Sequence, residues 1–156
     1  MSNWRTRLEP VITPIFRSWW RLSRPLTIGT RVLATDDTGR VLLVKHSYVK
    51  GWHMPGGGVE HGEAVAEAAM RELAEEGGIE AIGDPDVFGI YHNTAFRNDH
   101  IVLLRVKAWR PCTPSPGREI LERGFCARDA LPEGVTKATL RRLAEVFDGA
   151  PRSVKW

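Results

Sequence analysis

The sequence predicts a mixed α/β domain preceded by a basic, aromatic arm, and three observations carry that prediction. Apolar runs of strand length, LTIGTRVLAT (26–35), RVLLVKH (40–46) and HIVLLRVKAW (100–109), are rich in β-branched residues. Two other segments, roughly 63–76 and 136–147, carry apolar side chains at helical spacing. At 156 residues, 42% hydrophobic and 26% charged, the chain has room for one domain with a substantial core and too little for two.

The elements follow in order. Residues 1–25 form an arm in which Pro10 and Pro14 interrupt one or two short helices over 4–9 and 13–23. The domain proper runs from 26 to 150. Its first two strands flank the turn Asp36-Asp37-Thr38-Gly39, which predicts a hairpin or a closely connected strand pair. Gly51 and Pro55-Gly56-Gly57-Gly58 mark a loop ahead of the first helix. A strand near 86–92, a loop at 93–99 and the long strand at 100–109 come next. Residues 110–118 hold three prolines and a glycine and read as loop. A strand near 121–127 leads to the second helix, where Leu140, Leu143 and Phe147 stand at i, i+3 and i+7. Residues 151–156 form a C-terminal tail.

Charge is unevenly spread. The formal net of +3 is concentrated in the arm, where five arginines face Glu9 alone, and residues 27–156 are nearly balanced. Basic residues beside Trp4, Trp19 and Trp20 suit contact with a membrane surface through residues 4–23, or with RNA. Ile12, Ile15, Phe16, Trp19 and Trp20 form a rough apolar stripe, which favours packing on the domain or across a homodimer instead. No apolar run reaches the ~20 residues of a bilayer span, and the N-terminus lacks the form of a secretory signal. Cys112 and Cys126 have no metal-ligand spacing. A reducing, cytoplasmic compartment is the expectation.

The first helix poses the chemical question. With Val65 at 0° and ~100° per residue, Ala69, Leu73, Ala66 and Met70 fall between about 40° and 140°, the core face. Glu72, Glu75 and Glu76 fall beside it as a stripe about 100° wide, with Arg71 next to Glu75. Like charges at that spacing repel one another. Partial burial makes the crowding worse, and one arginine cannot neutralise three acids. A hard divalent cation can, since Mg²⁺ takes carboxylate oxygens. The glycine loop lets backbone approach closely and offers a carbonyl as a further ligand. Gly77-Gly78 with Ile79 reads as a left-handed helix cap.

These residues resemble the Nudix box, G-x5-E-x7-R-E-U-x-E-E-x-G-U with U a bulky aliphatic. The pattern runs over 23 residues from Gly57 through Glu63, Arg71, Glu72, Leu73, Glu75, Glu76 and Gly78 to Ile79, every fixed position matching. The approach Trp52-x-x-Pro55-Gly56-Gly57 fits too. The resemblance implies an α/β/α sandwich with a central mixed sheet and a loop-helix-loop motif. It implies Mg²⁺- or Mn²⁺-assisted hydrolysis of the diphosphate in a nucleoside diphosphate derivative or nucleoside triphosphate. It further implies Glu72, Glu75 and Glu76 as metal ligands with a Gly56 or Gly57 carbonyl nearby, and a Glu63–Arg71 pair joining loop to helix. Glu72, Glu76 and Arg71 are therefore the catalytic candidates within the box. In several members a later glutamate supplies the base or an extra ligand; Glu119 has that placement here, with Glu122 as the alternative.

Tyr91, Phe96 and Arg97, near His92 and His100, are candidates to stack on a base and neutralise a phosphate. His46, His53 and His61 read as structural or exposed. Two other functions remain open at this stage: an RNA 5′-end pyrophosphohydrolase using the arm as a clamp, and a nucleotide sensor without turnover. Retention of every box carboxylate favours catalysis on a small nucleotide, with no stable nucleic-acid partner. The box leaves the substrate's identity to loops outside it.

Overall fold

A computed structural model describes residues 26–96, 98–114 and 119–156. The arm and Arg97 therefore lie outside the described residues. Among the described residues, eight strands and two helices follow in the order β1 (Thr27–Ala34), β2 (Val41–His46), β3 (Trp52–His53), α1 (Val65–Gly77), β4 (Ile79–Ala81), β5 (Asp86–Asn93), β6 (Asp99–Val106), β7 (Trp109–Pro111), β8 (Ile120–Cys126) and α2 (Lys137–Phe147).

The strands form two three-stranded sheets, β1-β6-β5 and β3-β2-β8, and a small β4-β7 pair. In the first sheet β1 runs parallel to β6, and β5 runs antiparallel to it. Of the hairpin or closely connected strand pair expected of β1 and β2, the hairpin is not made. A single bridge, Thr35 to Val41, ties them at the turn, after which each strand hydrogen-bonds in a different sheet. Both strands are buried on both faces, and the turn serves to pass the chain between sheets.

Side-chain alternation sorts the core into two layers. Val32, Ala34, Leu42, Val102, Leu104 and Val106 pack with Ala69, Leu73 and Ile79 on the α1 side. Leu33, Val41, Leu43, Leu103, Phe88 and Tyr91 pack with Leu143 on the α2 side. One helix therefore covers each side of the strands, which is the α/β/α arrangement.

Both helices have defined ends. Ala64 has no side-chain oxygen to cap α1; instead Glu67 at the third helical position accepts the Ala64 N–H at 2.8 Å. Gly78 closes α1 at φ 69°, its N–H donating to Ala74 O at 3.2 Å, and buried Ile79 follows. Thr136 caps α2 through the Thr139 N–H at 3.2 Å. Leu143 is buried as its spacing requires, whereas Leu140 is exposed.

The segment after α2 is part of the fold. His92 N–H donates to Val154 O and Trp156 N–H to His92 O, both at 2.9 Å, so residues 154–156 run along the outer edge of β5. Beneath them Arg142 is fully buried, stacked 4.0 Å from the Tyr91 ring centroid and paired with Glu145. No helix among the described residues is long and apolar enough to cross a membrane.

Candidate active site

The site forms where the loop after β3 meets β1 and the C-terminal half of α1. The loop is bonded to the edge of β1: Val32 N–H donates to Pro55 O and Thr30 N–H to Gly57 O, both at 2.8 Å. Gly56 makes that approach possible. Its φ is +145°, and a Cβ there would stand 2.1 Å from the Thr30 carbonyl oxygen. At Gly57 the crowding comes from the helix, since a Cβ would meet Glu72 Oε1 at 2.3 Å. The two glycines thus set a carboxylate of α1 directly against loop backbone.

Glu76 is the most buried of the acids, at 8% exposure. The helical wheel places it at the edge of the core face, but the structure puts it inside. α1 buries Ala68, Ala69, Leu73 and Gly77, while Met70 and Ala66 are only half-buried. The buried face is therefore rotated toward the acids. Two donors satisfy the Glu76 carboxylate: Oε2 accepts the Gly56 N–H at 2.9 Å and Oε1 accepts His46 Nε2–H at 2.7 Å.

Arg71 organises the rest. It forks onto Glu63 through Nε at 2.9 Å and Nη2 at 3.1 Å, and Nη2 also reaches Gly58 O at 3.2 Å. Its Nη1 donates to Glu72 Oε1 at 2.7 Å and to Glu75 Oε2 at 3.4 Å. The Glu63–Arg71 pairing implied by the sequence is present, and the same guanidinium spans two more acids. Burial pushes the Glu72 carboxyl up and the charges of Glu76 and Glu75 add to that, while the Arg71 hydrogen bond works against them. Glu75 is the most exposed of the three acids.

Each carboxylate of this helix is therefore turned toward a protein partner, and among the described residues no three His, Cys, Asp or Glu side chains converge as a ready-made metal cage. The donor set nonetheless suits Mg²⁺ or Mn²⁺. Mg²⁺ is commonly held by one or two carboxylates, waters and substrate phosphates rather than by an all-protein cage. Glu72 and Glu76 would supply such a pair at the glycine loop, where Glu76 accepts the Gly56 N–H and the Gly56 carbonyl accepts from Arg31.

Tyr48 and Arg31, near the acids, escaped the sequence reading, which took the neighbouring His46 as structural or exposed. His46 is buried and bonded to Glu76, with its ring 5.2 Å from Tyr48 and 5.6 Å from His53. Tyr48 is exposed, yet partial desolvation raises its hydroxyl pKa, and the charges of Glu76 and Glu119 raise it further. Arg31 reaches the loop from β1, Nη1 donating to Met54 O at 3.1 Å and to Gly56 O. An arginine inside the apolar run of β1 is the signal that was available for it.

Glu119 lies at the start of β8, exposed, with its carbonyl held by Ser47 N–H at 2.7 Å. That bond sets its backbone beside the residue that follows His46, the partner of Glu76. Glu122 is turned to Lys45 at 2.7 Å, on the strand position next to His46. Tyr91 does not reach the cleft: it is 1% exposed and its hydroxyl donates to Glu145 Oε2 at 2.9 Å. Phe96 is 68% exposed. It lines an open cavity of about 640 Å³ together with Ile28, Arg31, Gly57, Asn93 and Asp99. His92 and His100 pack on one another with ring centroids 5.5 Å apart, His53 bonds Lys50 O, and His61 is exposed.

The family model of the NUDIX domain matches residues 25–146. The chain belongs to the Nudix family. Its Nudix domain is 37% identical over 73 residues to a putative 8-oxo-dGTP diphosphatase of Bacillus subtilis, an alignment covering 47% of this chain and 48% of that protein. A second Bacillus subtilis protein, the uncharacterized Nudix hydrolase YvcI, is 41% identical over 71 residues, 46% of this chain and 43% of that one. The matches thus span about half the length of these curated relatives. Among solved structures, the MutT Nudix hydrolase of Burkholderia pseudomallei superposes with a TM-score of 0.64 at 30% identity, over 77% of this chain and 97% of that one. An ADP-ribose pyrophosphatase of Streptococcus suis shares the Nudix fold at a TM-score of 0.59 and 23% identity, over 83% of this chain and 95% of that one.

Proposed function

We propose that this Nudix domain is a divalent-metal-dependent pyrophosphohydrolase that cleaves the diphosphate of a nucleoside diphosphate derivative or nucleoside triphosphate by attack of water on phosphorus. The observation that carries the reading is the seating of Glu76 and Glu72 on the backbone of Gly56 and Gly57. In a helix built for stability alone, a buried glutamate beside a second acid is a liability.

Glu72, Glu75, Glu76 and the Gly56 carbonyl would hold Mg²⁺ or Mn²⁺. Bound there, the cation screens phosphate charge and lowers the pKa of the attacking water. The protein's own parts do the remainder. Arg71 fixes Glu63, Glu72 and the loop carbonyl of Gly58 as one unit, so the acids keep their spacing while charge shifts at the site. Tight seating of α1 on the loop keeps the diphosphate in line for attack. Glu119, exposed and unpaired by any described side chain, is the residue proposed to take the water's proton; Glu122 is engaged with Lys45. The cavity beside Phe96 has room for a nucleoside, and Phe96 offers a face for its base.

The name of the Bacillus subtilis relative makes an oxidised purine triphosphate the first substrate to try. Glu75→Gln and Glu76→Gln each are expected to lower kcat by at least ~100-fold with an unchanged circular dichroism spectrum. Turnover near that of the parent in both variants would remove the assigned mechanism.

A further inference from the structure

We infer that Arg31 is a built-in counter-cation of the acidic site, gripping its loop carbonyl and weakening metal binding until a diphosphate arrives. The inference rests on the reading of Glu72, Glu75 and Glu76 as metal ligands. Arg31 is not a surface arginine. It stands in β1 between buried Thr30 and Val32, and burial pulls its pKa down against the opposing charges of Glu76, Tyr48 and Glu72. An aliphatic side chain would fill that space at lower cost, so packing does not account for the charge.

Its contacts are specific. Both hydrogen bonds end on carbonyl oxygens, Met54 O and Gly56 O. The residue whose N–H is held by Glu76 therefore has its C=O held by Arg31. Gly56 links the most buried acid of the helix to the half-buried cation without the two charges meeting in an ion pair. The Gly56 carbonyl is also the backbone ligand proposed for the metal. A metal and the guanidinium thus compete for one oxygen, and as like charges they oppose one another in a confined site.

The competition gives the residue a function. Arg31 also lines the open cavity beside Gly57 and Phe96, where a substrate's phosphates would lie. A diphosphate entering there brings the negative charge that lets guanidinium and metal coexist. Its oxygens are better partners for Arg31 than a carbonyl is. Arg31 is then a positioning residue that couples metal occupancy to the presence of substrate.

A titration of the full-length chain with Mn²⁺ alone, followed by calorimetry, tests this without turnover. Arg31→Gln keeps an N–H donor and loses the charge, and it is expected to bind Mn²⁺ ~10-fold more tightly than the parent. Arg31→Lys keeps the charge and is expected to bind within about twofold of the parent. If the Gln chain misfolds, Arg31→Met repeats the neutral case. A merely structural arginine gives the opposite result, since losing it loosens the loop; unchanged or weaker Mn²⁺ binding in the folded neutral variant would overturn the inference. Glu76→Gln separates the two levels. Parental Mn²⁺ affinity in that variant would remove the metal reading and this inference with it, whereas loss of affinity there with no gain in Arg31→Gln refutes the inference alone.

Discussion

Gly56 and Gly57 stand side by side, yet replacing each by alanine should fail in a different way. At Gly56 the new Cβ would strike backbone, the Thr30 carbonyl, in a conformation L-residues avoid. A loss of ~2–4 kcal/mol in urea unfolding is expected, with activity falling along with the fold. At Gly57 the new Cβ would strike the far end of a glutamate, which can swing away. Stability should change by less than about 1 kcal/mol, while Mn²⁺ binding and turnover fall at least tenfold because Glu72 is displaced. Equal loss of stability at both positions would contradict this division. A third residue reports on local electrostatics. Partial desolvation pushes the Asp36 carboxyl up, but the Thr38 hydroxyl, the Arg40 guanidinium and two backbone N–H groups outweigh it and hold the pKa near about 2. The group is depressed, so its contribution to stability is present above the ordinary carboxylate range and is lost as pH falls through about 2. A carboxyl ¹³C titration of Asp36 with a midpoint near 4 would show that this turn is not formed in solution.

At the scale of elements, α1 shows what one sequence can and cannot disclose. Its glutamates, its glycine cap and its pairing arginine were all legible, because short-range chemistry dictates them. Gly78 occupies the left-handed position the sequence assigns it, and Gly78→Ala should cost about 1 kcal/mol through backbone strain alone, read as a shift in the urea midpoint. The depth of Glu76 was not legible. Helical periodicity gives the angular order of side chains but not which sector the sheet will press against, and the small Ala68 and Gly77 let the buried sector include an acid. Strand pairing was hidden for a similar reason. The turn at Asp36–Arg40 looks like a hairpin because hairpin chemistry is local, while the partners of β1 and β2, β6 and β8, lie far along the chain. Arg31 was passed over, and His46 was read only as structural or exposed, because strand patterning marks a buried position without saying what approaches it.

At the scale of the molecule, the candidate active site and the α2 side of the core are separate investments. Arg142 and Glu145 form a buried ion pair with the Tyr91 hydroxyl and Ser153 N–H completing it, well apart in the structure's layers from the acids on α1. Burial and the bond to Glu145 lift the Tyr91 hydroxyl to a pKa of about 12, so it stays a neutral donor through the ordinary pH range. Glu145→Ala would leave Arg142 charged, buried and without its carboxylate, and a loss of ~3–5 kcal/mol is expected in thermal or urea unfolding. The same variant, at a temperature where it is folded, should retain the parent's Mn²⁺ affinity.

The most direct measurement is chromatographic detection of the hydrolysis products of an oxidised purine triphosphate, unmodified nucleoside triphosphates, nucleotide sugars, ADP-ribose, dinucleoside polyphosphates and a 5′-triphosphorylated RNA. Each would be run with Mg²⁺ and with Mn²⁺, with Glu76→Gln as the control. Metal-dependent hydrolysis of at least one small nucleotide, abolished by chelation and lost in Glu76→Gln, is the expected result. Hydrolysis that survives in Glu76→Gln, or no hydrolysis of any small nucleotide by a protein that binds Mn²⁺, would contradict it.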